Sequence, residues 1–349
     1  MAMTGHRGTV WLLPVVLLYL QMVQTVLPNA CKVNNGDCEQ FCKADDEGVV
    51  CSCAAGYALG TDYKTCFPVV KFPCGKLQRK HKAGREKVTG TTASQDAHPE
   101  SEGTATAPSS HPEVTEEADN LPITAPWQAV LVGEKDDWFC GGTILNEYFV
   151  LSGASCVKHL RDLRVLVGMV DREKEEPSRA LHRVEKIIAH PEFDTQTFDK
   201  DIALLKLEEP ITFSEDVVPA CLPEEHFAND VLMNQTYGIV SGFGIEHSGW
   251  MPVKRMKVLQ IPYVDRDTCK LALRAPVTEN MFCAGYDKDG RDACNGDGGG
   301  PHVTKYHGTY FVTGIISWGQ DCGRPGKYGV YTYLSKFLPW VRSILTENS

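Results

Sequence analysis

Long hydrophobic runs are missing from this chain of 349 residues. The longest apolar stretch, VWLLPVVLLYL from Val10 to Leu20, is too short to span a bilayer, and no later segment is apolar enough to do so. With His6 and Arg7 ahead of it, the stretch has the make-up of a secretory signal core, and residues 1–27 are expected to form that signal. Positive charge is outnumbered as well, with 35 Lys and Arg against 45 Asp and Glu. The formal net charge is −10, which argues against a phosphate-binding basic surface and so against nucleic acid as a partner. The deficit is concentrated. No Lys or Arg lies between Val88 and Lys135, whereas Asp96, Glu100, Glu102, Glu113, Glu116, Glu117 and Asp119 crowd the same stretch. Rich in Ser, Thr and Pro, that segment reads as a solvated tether.

Cysteine, in contrast, is abundant. Fourteen cysteines behind a secretory signal imply up to seven disulfides made in an oxidising compartment, hence a secreted, extracellular protein. Cys31, Cys38, Cys42, Cys51, Cys53 and Cys66 share a span too short for an apolar core, so disulfides must hold it. Spacing alone leaves 15 pairings open. Residues 67–123 are expected to be a linker, with the basic cluster LQRKHKAGREK at its start. From Trp127 onward, short apolar runs alternate with Gly, Pro and Asp turns: WQAVLV, TILNEYFVLS, LRVLVG, VEKIIAH, DIALLKL, YGIVSGFG, VLQIPYV, YFVTGIISW and YGVYTYL. This pattern predicts an all-β antiparallel sandwich or barrel over 124–349. Ser335–Thr346 spaces Phe337, Leu338, Val341, Ile344 and Leu345 along one helical face, with Ser335 as N-cap. Asn234-Gln235-Thr236 is an N-glycosylation sequon at Asn234.

Eight motifs run in order through the second part: PWQAVL, FCGGTIL, DIALLKL, PACLP, GIVSGFG, MFCAG, DACNGDGGGPHV and GIISWGQDCGRPGKYGVYT. Together they resemble the trypsin/chymotrypsin family of serine proteases. VSGFG, PYVDR and NMFCAGYD bring the chain nearest to the coagulation factor X branch. The spacing C-x6-C-x3-C-x8-C-x-C over residues 31–66 resembles an EGF-like module. The resemblance implies a two-barrel antiparallel Greek-key fold with a C-terminal helix, preceded by a small disulfide-rich module. In the module it implies Cys31–Cys42, Cys38–Cys51 and Cys53–Cys66. Beyond it, the implied pairs are Cys74–Cys221, Cys140–Cys156, Cys269–Cys283 and Cys294–Cys322.

The family's triad needs a hydroxyl nucleophile, an imidazole base and a buried carboxylate. Here the matching positions are Gly298, Ser155 and Asp201. Gly298 has no side chain, and a serine hydroxyl has no pKa suited to a general base near neutrality. Loss of the whole triad lowers turnover by about 10⁶. His159, close to Ser155, reads as a surface histidine. Asp297 matches the aspartate that pairs with the ammonium end freed by activation cleavage. No Ile-Val-Gly-Gly-like end occurs in EEADNLPITAPWQAVL, so Asp297 must find another partner. Asp292, Trp318, Gly319, Gly329 and Tyr331 match the specificity pocket, either inherited unused or still able to take Arg or Lys. Phe198 matches one wall of an aromatic subsite, and Ala275 replaces another. In the family's calcium loop, Met169 and Arg179 stand where carboxylates are needed, so no metal or other cofactor is expected. Membrane docking through Gla residues is not expected either.

The resulting expectation is a secreted, catalytically inactive homologue, monomeric, acting by protein binding as decoy, scaffold or regulator. Its partner would be a coagulation cofactor, an inhibitor or a receptor. The alternatives are a residual endopeptidase with Arg/Lys preference and a secreted relic without a role.

Overall fold

The computed structural model describes residues 27–45, 48–78, 124–135, 137–158, 160, 162–245, 253–288, 296–320 and 324–348. In the cysteine-rich segment, β1 (Phe41–Asp45) pairs antiparallel with β2 (Gly48–Ser52), and β3 (Tyr57–Leu59) with β4 (Cys66–Pro68). So few strands cannot enclose an apolar interior. Cys31–Cys42, Cys38–Cys51 and Cys53–Cys66 tie them together instead. The turn before β1 is left-handed over four residues, Asn34, Asn35, Gly36 and Asp37. Gly36 is required there, because a Cβ would sit 2.6 Å from Cys42 Sγ.

Two barrels follow. The first comprises β5 (Gln128–Val132), β6 (Trp138–Ile144), β7 (Phe149–Ser152), β8 (Arg164–Val167), β9 (Ala180–Ala189) and β10 (Ala203–Leu207). The second comprises β11 (Tyr237–Gly242), β12 (Lys257–Val264), β13 (Met281–Ala284), β14 (Pro301–Tyr306), β15 (Thr309–Gly319) and β16 (Gly329–Tyr333). Each is closed and antiparallel, in the orders β10-β7-β6-β5-β8-β9 and β11-β12-β13-β16-β15-β14. Both orders describe one connectivity. Three strands form a meander, the fourth returns beside the first as in a Greek key, and the sixth closes onto the third. This is the all-β, two-barrel fold with a C-terminal helix that the resemblance implies.

Burial explains why the strands read as continuous apolar runs. In β5, Ala129 and Leu131 point into the first barrel beside Ile144, Val165 and Leu205. Val130 and Val132 face outward against Leu166, Met169 and Phe243. With both faces covered, alternation is lost. Across the barrel junction, the Ser241 hydroxyl donates to Gln128 Oε1 at 2.7 Å, a buried polar link between β11 and β5. β13 and β14 were not among the runs read as strands: MFCA is short, and Pro301 opens β14.

The terminal helix differs in its start. Leu334–Phe337 is a 3-10 turn, and the α-helix runs Leu338–Glu347 with Pro339 in its first turn. Ser335 is buried within the 3-10 turn and is not the N-cap, because Leu334 and Phe337 pull that turn into the core that also holds Val341 and Ile344. The expected linker also begins later than 67. Phe72 and Leu77 pack against the barrel core, Cys74 is bonded to Cys221, and Gly75 N donates to Pro219 O at 2.7 Å. Gly75 has φ 62°, and a Cβ there would meet Tyr310 O at 2.3 Å. The cysteine-rich module is seated beside this pin through Phe41, whose ring lies 5.4 Å from Phe227 and 6.0 Å from Phe311.

Candidate functional site

Three loop segments converge where the barrels meet. The first leaves β7 as a short helical turn, Ala154–Val157, and carries Ser155. Cys140–Cys156 ties this turn back to β6. The second enters β10 and carries Asp201, which is fully buried. The third is the glycine-rich turn ahead of β14, which carries Gly298.

Asp201 is held by hydroxyls and an amide. Its Oδ1 accepts the Ser155 backbone N–H at 2.7 Å. Its Oδ2 accepts the Ser155 hydroxyl at 2.9 Å and the Ser317 hydroxyl at 2.6 Å. The Asp201 carbonyl takes the Thr332 hydroxyl at 2.6 Å. Burial raises the carboxyl's pKa, and the bonds from Ser155 and Ser317 oppose that rise. Gly153 leaves room for this, since a Cβ there would lie 3.0 Å from Asp201 Oδ1.

Around Gly298 the backbone is fixed while the side-chain space is open. A Cβ built on Gly298 meets nothing within 4 Å. Its carbonyl accepts the Gly141 N–H at 2.8 Å and lies 3.5 Å from Cys156 Sγ, so the turn touches the neighbour of Ser155. Gly299 N donates to Ile316 O at 2.7 Å, and Gly300 N to Asp297 O at 2.9 Å. Gly299 has φ 80°, and a Cβ would sit 2.3 Å from Ser152 Oγ. The turn is therefore built for close backbone approach. It offers a shaped surface of peptide groups, with no nucleophilic atom at position 298.

Asp292, Cys294, Cys322 and His159 fall outside the described residues. Trp318 and Gly319 lie on β15 opposite Val330 and Gly329 of β16. The Trp318 ring packs in a cluster with Leu273, Val277, Tyr328 and Phe198. Tyr331, read as a pocket remnant, is fully buried in the second barrel, stacked on Phe282 with centroids 5.2 Å apart. Phe198 has φ 59° and meets Phe193 edge-on, whereas Ala275 is half-buried. Asn234 is exposed, and its amide donates to Asp230 O at 2.9 Å. In the loop after β8, Met169 is buried against Val130 and Phe243, and Glu176 Oε2 accepts the Val170 N–H at 2.6 Å.

Asp297 Oδ1 accepts the Gly244 N–H at 2.7 Å, and its carboxylate shares a cavity with Arg172, Trp138 and Phe243. Sequence reading missed Arg172. It lies in a loop read only for its carboxylates, and nothing local marks its side chain as turning inward.

Two closed barrels of one connectivity, with a buried carboxylate and a glycine-rich turn facing each other across their junction, define a chymotrypsin-like two-barrel β protein. The Trypsin family matches residues 115–341, and the family described as Coagulation Factor Xa inhibitory site matches residues 31–66. The chain belongs to the trypsin family, with a factor Xa-related module ahead of its barrels.

Proposed function

We propose that this protein is a secreted, catalytically inactive member of the trypsin family that acts by binding another protein. The observation that carries this reading is the occupancy of Asp201. Both of its carboxylate oxygens are taken by Ser155, at the place where the family's imidazole would be oriented. Opposite stands Gly298, with open space in place of a nucleophile. A carboxylate bonded to hydroxyls orients no base, and glycine offers nothing to activate. The scaffold itself is intact: closed barrels, buried cores and six disulfides among the described residues.

In this reading the partner is one that meets factor X-like surfaces, such as a coagulation cofactor, an inhibitor or a receptor. The protein acts as a monomer, without calcium in the 169–179 loop, and with Asn234 glycosylated. The test uses the full secreted chain. It should show no labelling by a serine-directed phosphonate and no amidolysis of Arg or Lys substrates. Pull-down from plasma followed by mass spectrometry should recover a defined partner, and comparison with Asp292→Ala reports whether the specificity pocket takes part. Phosphonate labelling, or the absence of any partner at micromolar concentration, would overturn the proposal.

A further inference from the structure

The loop joining β8 to β9 turns a positive charge inward. Arg172 is half-buried, with its guanidinium carbon 4.5 Å from the ring centre of Trp138 and 5.6 Å from that of Phe243. Its Nη2 donates to the Phe243 carbonyl at 3.0 Å. The neighbouring Gly244 N–H donates to Asp297 Oδ1 at 2.7 Å. That carbonyl and that N–H are the two poles of one peptide unit, and in the ordinary trans peptide they point opposite ways. A cation thus holds the oxygen of an amide whose nitrogen is held by a carboxylate.

Charges at the two poles polarise the amide and strengthen both bonds beyond neutral ones. Arg172, Phe243, Gly244 and Asp297 line a single cavity of about 150 Å³. Burial lowers the pKa of Arg172, and the field of Asp297 works against that fall. The close fit reserves space for the carboxylate, because a Cβ on Gly242 would lie 2.0 Å from Asp297 Oδ1. Arg172 is anchored at its root, where its own N–H donates to Lys254 O at 2.8 Å and Asp171 pairs with Arg255 at 3.7 Å.

We infer that Arg172 is a positioning residue for the Gly296–Gly300 turn: acting through the Phe243–Gly244 peptide, it supplies the positive charge that holds Asp297. Because Gly300 N binds the Asp297 carbonyl and Gly141 N binds the Gly298 carbonyl, fixing Asp297 fixes the floor of the cleft. The surface loop 169–179 is thereby coupled to the site between the barrels. The inference goes beyond the proposed function and holds whether the domain is active or not.

Hydrogen exchange of the full chain, followed by mass spectrometry over 238–245 and 296–304, tests it. Arg172→Gln keeps a donor but removes the charge, and should speed exchange in both segments about tenfold while β16 is unchanged. Arg172→Lys keeps the charge and should recover at least half of that effect on a logarithmic scale. In an Asp297→Asn background, Arg172→Gln should change the turn by less than twofold. Equal acceleration in β16, an undiminished effect in the Asp297→Asn background, or no change at all would each overturn the inference. Should Arg172→Gln fail to fold, Asp297→Asn alone decides: it must speed exchange in these two segments and spare β16.

Discussion

Ser155 occupies both oxygens of Asp201, its backbone N–H on Oδ1 at 2.7 Å and its hydroxyl on Oδ2 at 2.9 Å. The carboxylate is fully buried, so each of these bonds offsets part of its desolvation. Ser155→Ala removes the hydroxyl and leaves the amide. The variant should lose about 1–2 kcal/mol of unfolding free energy by urea titration, with the Asp201 carboxyl pushed further up. An unchanged midpoint would show that water replaces the hydroxyl without loss.

On the proposed reading, restoring chemistry requires two changes at once. Gly298→Ser has open space for its Cβ and should fold normally. With no base to accept its proton, it should remain unlabelled by a serine-directed phosphonate. Ser155→His with Gly298→Ser should label, at a rate about 10³-fold or more above the single variant, because base and nucleophile act as a unit. Equal labelling of the single variant would mean that another base serves the cleft.

His302 sets a pH limit on the second barrel. It is fully buried among Tyr263, Phe282 and Tyr331, with Nδ1 bonded to the Thr313 hydroxyl at 2.8 Å. Burial pushes it down to about 3. The unfolded chain binds this proton near the ordinary value of about 6.5, so the contribution of His302 is full above that pH. As pH falls from about 6.5 toward 3, the unfolded state gains the proton first, and stability should drop by about 1.4 kcal/mol per unit. Asp201, raised by burial, acts in the opposite sense as pH falls. Urea titrations of His302→Phe and wild type at pH 7.5, 5.5 and 4.5 separate the two, and the variant should show the shallower decline.

Seating of the cysteine-rich module depends on Phe41. Its ring is buried against Phe227 and Phe311. Phe41→Ala should weaken the seat by about 3 kcal/mol, which speeds hydrogen exchange in β1 on the order of a hundredfold. The barrels should keep their exchange rates.

The barrels were legible because their strands carry β-branched and aromatic runs between Gly and Pro turns. β13 and β14 were not, since MFCA is too short to show a period and a leading proline argues against a strand. The match of Gly298 to the family's nucleophile position rests on the resemblance alone. The bonds of Ser155 to Asp201 were not legible, because 46 residues separate the partners and the β7–β10 pairing is what brings their strands side by side. Arg172 was hidden for a similar reason. Its direction is set by Trp138 and Phe243, both distant in sequence. Tyr331 was matched to a pocket position by resemblance, and its burial in the second barrel was not legible from its local sequence.

The pin at Gly75 has a consequence for reach. With Cys74–Cys221 on one side and Phe41 in its aromatic seat nearby, the module and the barrels form one unit with a set spacing. A ligand touching both the module and the cleft meets them at a single distance, as against the teeth of a gauge. Its second contact then adds to the first with little further loss of orientational freedom. On the proposed reading, a binding partner of the wrong span would have to give up one of the two contacts.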